Sequence, residues 1–358
     1  VFEDSKGILW IGTHGGGINK FNPETNTFIT YKNDPGNHNS LAADEIRSIY
    51  EDRTGTIWIG TYGRGLDKFD RGTETFTHFV NDPNDNKSIN NNFIRTIYED
   101  KSGILWIGTE GGGLNKFERA TGTFKNFTNN LDDSSSLNSD YIFTIHESPE
   151  GILWLGTWGG GLNRFDVKNE KAKHFTVDDG LPSNAIYGIL EDEKGNLWLS
   201  SNNGLARFNP ISKSISNYNV KDGLQNNEFN GGSYFKSKSG EIFFGGINGF
   251  NSFYPKNIKD NKFIPPVLIT SFQKFNKEVD FTKPVYSINE IDLSYEDYVF
   301  SFEFASLDFS APEKNKYVYK MEGLDNEWIS TSASRRFATY TTLSPGDYTF
   351  KVKGTNSD

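Results

Sequence analysis

Gly103-Ile-Leu-Trp-Ile-Gly-Thr-Glu-Gly-Gly-Gly-Leu-Asn-Lys-Phe117 is the phrase whose reading decides the fold, because the chain repeats it. Sister copies read GILWIGTHGGGINKF at 7–21, GTIWIGTYGRGLDKF at 55–69, GILWLGTWGGGLNRF at 151–165 and GNLWLSSNNGLARF at 195–208. Tryptophans therefore stand at Trp10, Trp58, Trp106, Trp154 and Trp198, separated by 48, 48, 48 and 44 residues. A weaker copy, GEIFFGGINGFNSF at 240–253, carries Phe243 in the tryptophan's place. A period of this length marks a row of supersecondary units, each of which buries its apolar face only against its neighbours. Residues shared by all copies then belong to the scaffold, and anything particular to this protein lies where the copies differ.

Within one unit, residues 46–79, the pattern is strand (IRSIYED), turn (DRTG), strand (TIWIGT), glycine turn (YGRG), strand (LDKFD) and strand (TETFTHF). A long polar loop, NDPNDNKSINNN, leads to the next unit. Four antiparallel strands in about 45 residues are one blade of a β-propeller. The spacing predicts an all-β chain with about six four-stranded blades over 1–258, part of a seven-bladed ring. The repeated tryptophan lies on the second strand, where a ring so large packs between adjacent blades. After 258 the Trp-Gly phrase stops. VLITSFQKF, YVFSFEFASL, NKYVYKMEG, EWISTS, RFATYTTL and DYTFKVKG read as strands between turn signals, predicting an immunoglobulin- or fibronectin-III-like β-sandwich over 263–358.

Composition agrees. Aromatic residues are 15% of the 358, Gly numbers 36 and Met occurs once, a profile of short strands and tight turns. A formal net charge of −10 argues against a general nucleic-acid binder. Cys is absent, which excludes disulfides and Cys-based metal or redox chemistry. No run approaches the roughly 18 apolar residues of a membrane span. The opening VFEDSKG matches the middle of a repeat (IYEDRTG, IYEDKSG), and FKVKGTNSD stops where a last strand is expected, so both ends read as cut from a longer chain.

The repeats resemble the regulator-propeller repeat, a strand followed by D-x-x-G-x-L-W-I-G-T-x-x-G-G-L. The stretch Tyr317-Val-Tyr319-Lys-Met-Glu-Gly323-Leu-Asp325-Asn-Glu-Trp328, with Leu343-Ser-Pro345-Gly346-Asp-Tyr348-Thr-Phe350, is similar to the Y_Y_Y domain. The two occur in this order in the extracytoplasmic sensor regions of hybrid two-component histidine kinases. The resemblance implies a periplasmic, non-catalytic segment of an inner-membrane receptor that responds to an oligosaccharide and switches on glycan-degradation genes; the residues alone leave open a protein-binding propeller scaffold and a propeller-type polysaccharide lyase or glycosidase. The resemblance also implies a homodimeric receptor, a transmembrane helix and kinase beyond this segment, no cofactor and no contact of this segment with nucleic acid. Departures are Ser200-Ser201 for Gly-Thr in the fifth copy and Phe243 with Gly245-Gly246 in the sixth.

Aligned on the 48-residue ruler, the position after Gly-Thr is the most varied: His14, Tyr62, Glu110, Trp158 and Asn202. These project from one face, where ring stacking and hydrogen bonding suit a sugar, although a solvent-facing turn tolerates any residue. Arg64, in place of a glycine, joins them. At the end of each long loop stand Asp44, Asn92, Asp140, Asn184 and Asn227, natural turn formers with a structural reading. Three positions on come Arg47, Arg95, Phe143, Tyr187 and Asn230, opening the innermost strand. Their arginines are able to grip a carboxylate or sulfate, and packing between blades is the alternative reading. No catalytic residue and no metal ligand stands out. His78 and His174 read as exposed outer-strand residues and His146 as inner-strand packing. The recurring Asp52, Asp100 and Asp192 read as turn chemistry, and the glycine triplets as hairpin turns, with no helix behind them to make a phosphate loop.

Overall fold

The computed structural model describes residues 1–259, 264–309 and 312–355. They fall into two compact units, Val1–Asn257 and Ile258–Asp358. The expected start of the second domain at 263 lies outside the described residues.

In the first unit each repeat is an antiparallel meander. In the third blade the strands are Ile94–Glu99, Leu105–Thr109, Leu114–Glu118 and Thr123–Phe127, hydrogen-bonded in that order. Five such four-stranded sheets are present. The sixth has three strands, Phe229–Lys236, Ile242–Gly246 and Gly249–Phe253, which corrects the expectation of a four-stranded blade there. After Phe253 the chain makes a 3-10 turn at Pro255–Asn257 instead of returning as an outer strand. A seventh blade is not among the described residues.

One constellation ties blade to blade. The Trp58 indole N–H donates to Asp52 Oδ2 at 2.8 Å, while Oδ1 accepts the backbone N–H groups of Thr54 and Thr56, closing the turn between the first two strands. The same bonds join Trp10 to Asp4, Trp106 to Asp100 and Trp198 to Asp192 at 2.9, 2.8 and 3.1 Å. Trp154 has Ser148 in the aspartate's place. Held this way, each indole meets edge-on the phenylalanine of the next blade's third strand: Trp10 on Phe69, Trp58 on Phe117, Trp106 on Phe165, Trp154 on Phe208 and Trp198 on Phe253. Their centroids lie 5.3, 5.2, 5.9, 5.4 and 4.8 Å apart, the near-perpendicular arrangement that aromatic quadrupoles favour. Arginines lock two of these joints: Arg119 binds Asp52 of the preceding blade and Glu99 of its own, both at 2.8 Å, and Arg71 repeats this with Asp4 and Glu51.

The other end of each blade is held by the long loop. His78 was expected on the exposed surface. Instead its Nδ1 lies 2.7 Å from buried Asp67 and its Nε2 2.9 Å from the His38 carbonyl of the loop beneath. His174 likewise reaches the Ser136 carbonyl at 2.7 Å, and Asn126 and Asn217 donate to Ser88 and Gly180. This outer-strand position clamps the loop, which explains its preference for side chains with a nitrogen donor. His146 does more than pack, since its Nε2 contacts Glu191 of the next blade at 2.8 Å.

The second unit is a two-sheet sandwich. Val267–Lys274 and Val299–Ser306 pair centrally, flanked by Lys277–Glu278 and Phe337–Thr341; Lys316–Glu322 pairs with Ile329–Ser332 and Thr349–Gly354. Inner faces meet on Phe272, Phe300, Phe304, Tyr317, Met321 and Tyr340, and Phe302 stacks on Phe350 at 4.3 Å. The Tyr340 hydroxyl donates to Asp325, which also accepts the Met321 N–H, so the turn after the 316–322 strand is pinned to the opposite sheet.

Two outcomes follow from the tryptophan–aspartate joints. Trp106→Ala should cost about 3–5 kcal/mol of stability, read as a shift in the guanidinium unfolding curve of the propeller. Burial pushes the Asp52 pKa up, but hydrogen bonds from Thr54, Trp58 and Arg119 outweigh it and hold it down to about 2; Asp4 and Asp192 are also lowered. An unfolded aspartate titrates near 3.9, so the ionised joints stabilise fully above that pH and lose their contribution as pH falls through the depressed values. Thermal melts should therefore show stability falling between about pH 4 and 2, and Asp52→Asn should flatten that fall.

Candidate functional site

The structure gives a reason for every repeated residue around the varied positions. Asp44, Asn92, Asp140, Asn184 and Asn227 each cap a loop: Oδ1 accepts the N–H of Asn33, Asn81, Asn129, Val177 and Val220 in turn. Their backbone carbonyls accept N–H groups from the glycine turns, as in Gly111 and Gly113 to Asp140. Gly113 has φ 71°, and a β-carbon there would overlap the Phe127 carbonyl, so glycine is required on both counts. The varied residue is thus carried on a turn stapled to the neighbouring blade.

The second set is displayed by a bulge. In the second blade Ile46 pairs with Thr61 and Ser48 with Gly60, leaving Arg47 as the extra residue. Arg95, Phe143 and Tyr187 occupy the same bulge in the next three blades. A bulge turns a side chain out of the regular pleat, here to the same end of the blades as the varied turns. Beside the bulge, Gly60, Gly108 and Gly156 let the next blade approach, because a β-carbon at any of them would press on Ile94, Ile142 or Ile186 opening that blade.

Both sets converge. The Arg47 guanidinium lies 4.4 Å from the centre of the Tyr62 ring, which meets Phe93 edge-on at 4.7 Å. The Arg95 guanidinium lies 4.4 Å from the Phe143 ring, with Glu110 Oε1 3.7 Å from its Nη1. Phe143, Trp158 and Tyr187 form a triangle with centroids 5.5, 5.8 and 6.2 Å apart. Trp158 is 55% exposed, unlike the buried tryptophans of the ladder. From the sixth blade, Tyr234 bonds Thr144 at 2.7 Å, and Gly231 abuts Arg95 and Phe143. His14 stands apart, paired with Glu45 at 2.8 Å. Arg64, Asn202 and Asn230 are exposed and are not drawn into the cluster.

Electrostatics follow from this packing. Burial lowers the Arg95 pKa, Glu110 offsets part of that, and the charge of Arg47 adds to it. Burial and the neighbouring Glu228 carboxylate push the Tyr187 hydroxyl up. The arrangement offers an open indole face, two stacked guanidinium groups and a rim of hydroxyl and carboxylate oxygens.

Sequence reasoning passed over one series. Glu45, Phe93, Tyr141 and Ala185 follow directly on the loop-capping Asp or Asn, and each forms a backbone bridge with the varied turn of the preceding blade: His14, Tyr62, Glu110 and Trp158. Glu228 holds the same place in the sixth repeat. The ruler that aligned the other sets also exposes this position, which varies as widely as they do. Gly231 and Tyr234 had no such signal, because the irregular 229–236 strand breaks the repeat pattern.

With this geometry in view, the chain can be compared with known proteins. The two component regulator propeller family matches at 40–63, 88–111, 136–159 and 180–203, and the Y_Y_Y domain at 308–358. The chain thus carries regulator-propeller repeats followed by a Y_Y_Y domain. It is 38% identical over 187 residues to Histidine kinase P4 of Formosa agariphila, covering 50% of this chain and 14% of that protein. Among solved structures it is similar to the extracellular domain assigned to the hybrid two component system BT3049 of B. thetaiotaomicron. That match has 30% identity and a TM-score of 0.73, covering 99% of this chain and 47% of that one. The corresponding domain of BT4673 from the same organism gives 25% identity and a TM-score of 0.54, covering 98% and 53%. The chain therefore spans about half the length of these structural relatives. Among the described residues, no helix is long and apolar enough to cross a membrane.

Exposure of Trp158 has a direct readout. Acrylamide should quench the emission of Trp158 and of Trp328, which is 37% exposed; Trp158→Phe should reduce that accessible fraction to the Trp328 share, whereas Trp106→Phe should leave it in place.

Proposed function

We propose that this chain is the ligand-binding, periplasmic segment of a membrane-bound hybrid two-component histidine kinase, and that its ligand is an oligosaccharide whose arrival switches on glycan-utilisation genes. Support for the receptor comes from the kinase relative and from the likeness to extracellular domains of hybrid two component systems. The observation that carries the ligand is the exposed Trp158 face, flanked by Phe143 and Tyr187 and set beside Arg95 and Glu110. An aromatic face stacks on the C–H face of a pyranose, and charged hydrogen-bonding groups at its edge select among hydroxyls. In this reading the segment itself is non-catalytic and needs no cofactor or metal, and the kinase activity belongs to the rest of the receptor, a homodimer anchored by its own membrane helix. A ligand moves such a receptor only by binding one arrangement of its domains better than another.

A second reading is a protein-binding scaffold, favoured by the apolar rim residues Phe93, Tyr141 and Trp158, which are 37%, 49% and 55% exposed. Titration calorimetry of the purified chain against defined oligosaccharides separates the two. The sensor reading expects saturable binding of at least one sugar, quenching of tryptophan emission on binding, and a loss of affinity of roughly tenfold or more in Trp158→Ala, as base–aromatic and other stacking contacts of about 1–3 kcal/mol suggest. Silence across neutral and acidic sugars, with capture of a protein partner through the same rim, would reverse the assignment.

A further inference from the structure

The two guanidinium groups of the cluster are held in an unusual way. The guanidinium carbons of Arg47 and Arg95 each lie over an aromatic ring, 4.4 Å from its centre. Neither donates a hydrogen bond to any described residue. By contrast, Arg71 and Arg119 each bind two carboxylates at 2.8 Å, and Arg53 lies 3.1 Å from Glu99. The carboxylate facing Arg95 is Glu110, at 3.7 Å, which is too long for a hydrogen bond; Tyr187, Tyr234 and the like-charged Arg47 are the other polar neighbours of Arg95. Yet its side chain is 16% exposed, so water satisfies it poorly. A guanidinium held over a ring face by cation–π attraction still has its N–H donors unspent, and those donors match a carboxylate or sulfate bidentately.

Gly231 sets the position of Arg95. A β-carbon at 231 would overlap Arg95 Nη2 and touch Phe143 Cδ1 at 3.4 Å. The glycine is not called for by backbone conformation, since 231 is absent from the positive-φ glycines that include its neighbour Gly232 at 79°. Its missing side chain leaves space for the guanidinium coming from the third blade. The atom a β-carbon would strike is the free end of a flexible side chain, so an alanine would shift Arg95 and leave the blade intact.

We propose that Arg47 and Arg95 form an anion subsite that selects a carboxylated or sulfated sugar, with the sugar ring on the Trp158–Phe143 face and Gly231 as the residue that positions Arg95. This rests on the oligosaccharide reading above and narrows it to the acidic class. Glu110 opposes the ligand's charge while holding Arg95 loosely, which tunes the site against weak anions. The burial that lowers the Arg95 pKa agrees with a guanidinium waiting for a stronger counter-charge.

The test is titration calorimetry of the 1–358 chain with a uronic-acid disaccharide, its neutral methyl ester, a sulfated disaccharide, neutral gluco-, manno- and galacto-disaccharides, and sodium sulfate alone. An acidic sugar should bind roughly tenfold to a hundredfold more tightly than its neutral counterpart, the range expected of charge-assisted hydrogen bonds, and the preference should shrink as salt is raised. Arg95→Gln and Gly231→Ala should each abolish the preference while keeping the wild-type melting temperature, and Glu110→Gln should enlarge it. The uronate and sulfate arms distinguish the two sources of the anion, and sodium sulfate reports whether the anion binds without a sugar. Neutral sugars binding as tightly as acidic ones, or an acid preference that survives Arg95→Gln, would overturn the anion subsite and leave the sugar sensor standing. Absence of binding by every sugar would overturn both.

Discussion

An indole N–H donating to a carboxylate six residues earlier, and the same indole's edge resting on a phenylalanine of the next blade, is the interaction on which the rest of the propeller depends. It performs two tasks with one side chain. Toward its own blade it closes the turn between the first two strands, because the aspartate's second oxygen collects the turn's backbone N–H groups. Toward the next blade it sets the packing distance, as shown by the near-constant angles of 64–72° across five joints. Burying a carboxylate is costly unless every lone pair finds a donor, and Asp52 meets that condition with an indole, an arginine, a hydroxyl and the turn backbone.

Those joints sit at the turn between the first two strands; at the opposite ends neighbouring blades are joined by backbone bonds instead of by a fixed side chain. There the glycine turns are stapled by backbone bonds to the carbonyls of Asp44, Asn92, Asp140 and Asn184, bonds that any side chain on the turn tolerates. Variation is confined to positions where backbone geometry is guaranteed by its neighbours. The result is a rigid frame with a few freely chosen side chains, the arrangement on which binding sites are usually built. The bulges at Arg47, Arg95, Phe143 and Tyr187 add a second freely chosen residue per blade and aim it at the first.

Much of this was legible along the chain. The strands of the 46–79 repeat form within a residue or two of where the alternation and turn signals put them, since each strand–turn unit is specified locally. The loop-capping Asp and Asn residues were readable for the same reason. What failed to show were long-range bonds. His78 and His174 looked solvent-exposed because the loop carbonyls they clamp lie about 40 residues earlier. The sixth blade looked four-stranded because its core phrase survives, while the strand that would complete it is replaced by a turn.

The amino-acid sequence by itself determined the repeat, the blade, the family and the list of positions that differ between copies, because all of these depend on local order and on counting. Only the tertiary structure decided that two such lists, read as separate sets, are one cluster. Phe143 and Trp158 lie fifteen positions apart in chain order, and Arg95 and Gly231 lie in different blades. Whether such side chains meet is set by the bulge that turns Phe143 and by the absent β-carbon at 231, neither of which has a local signature.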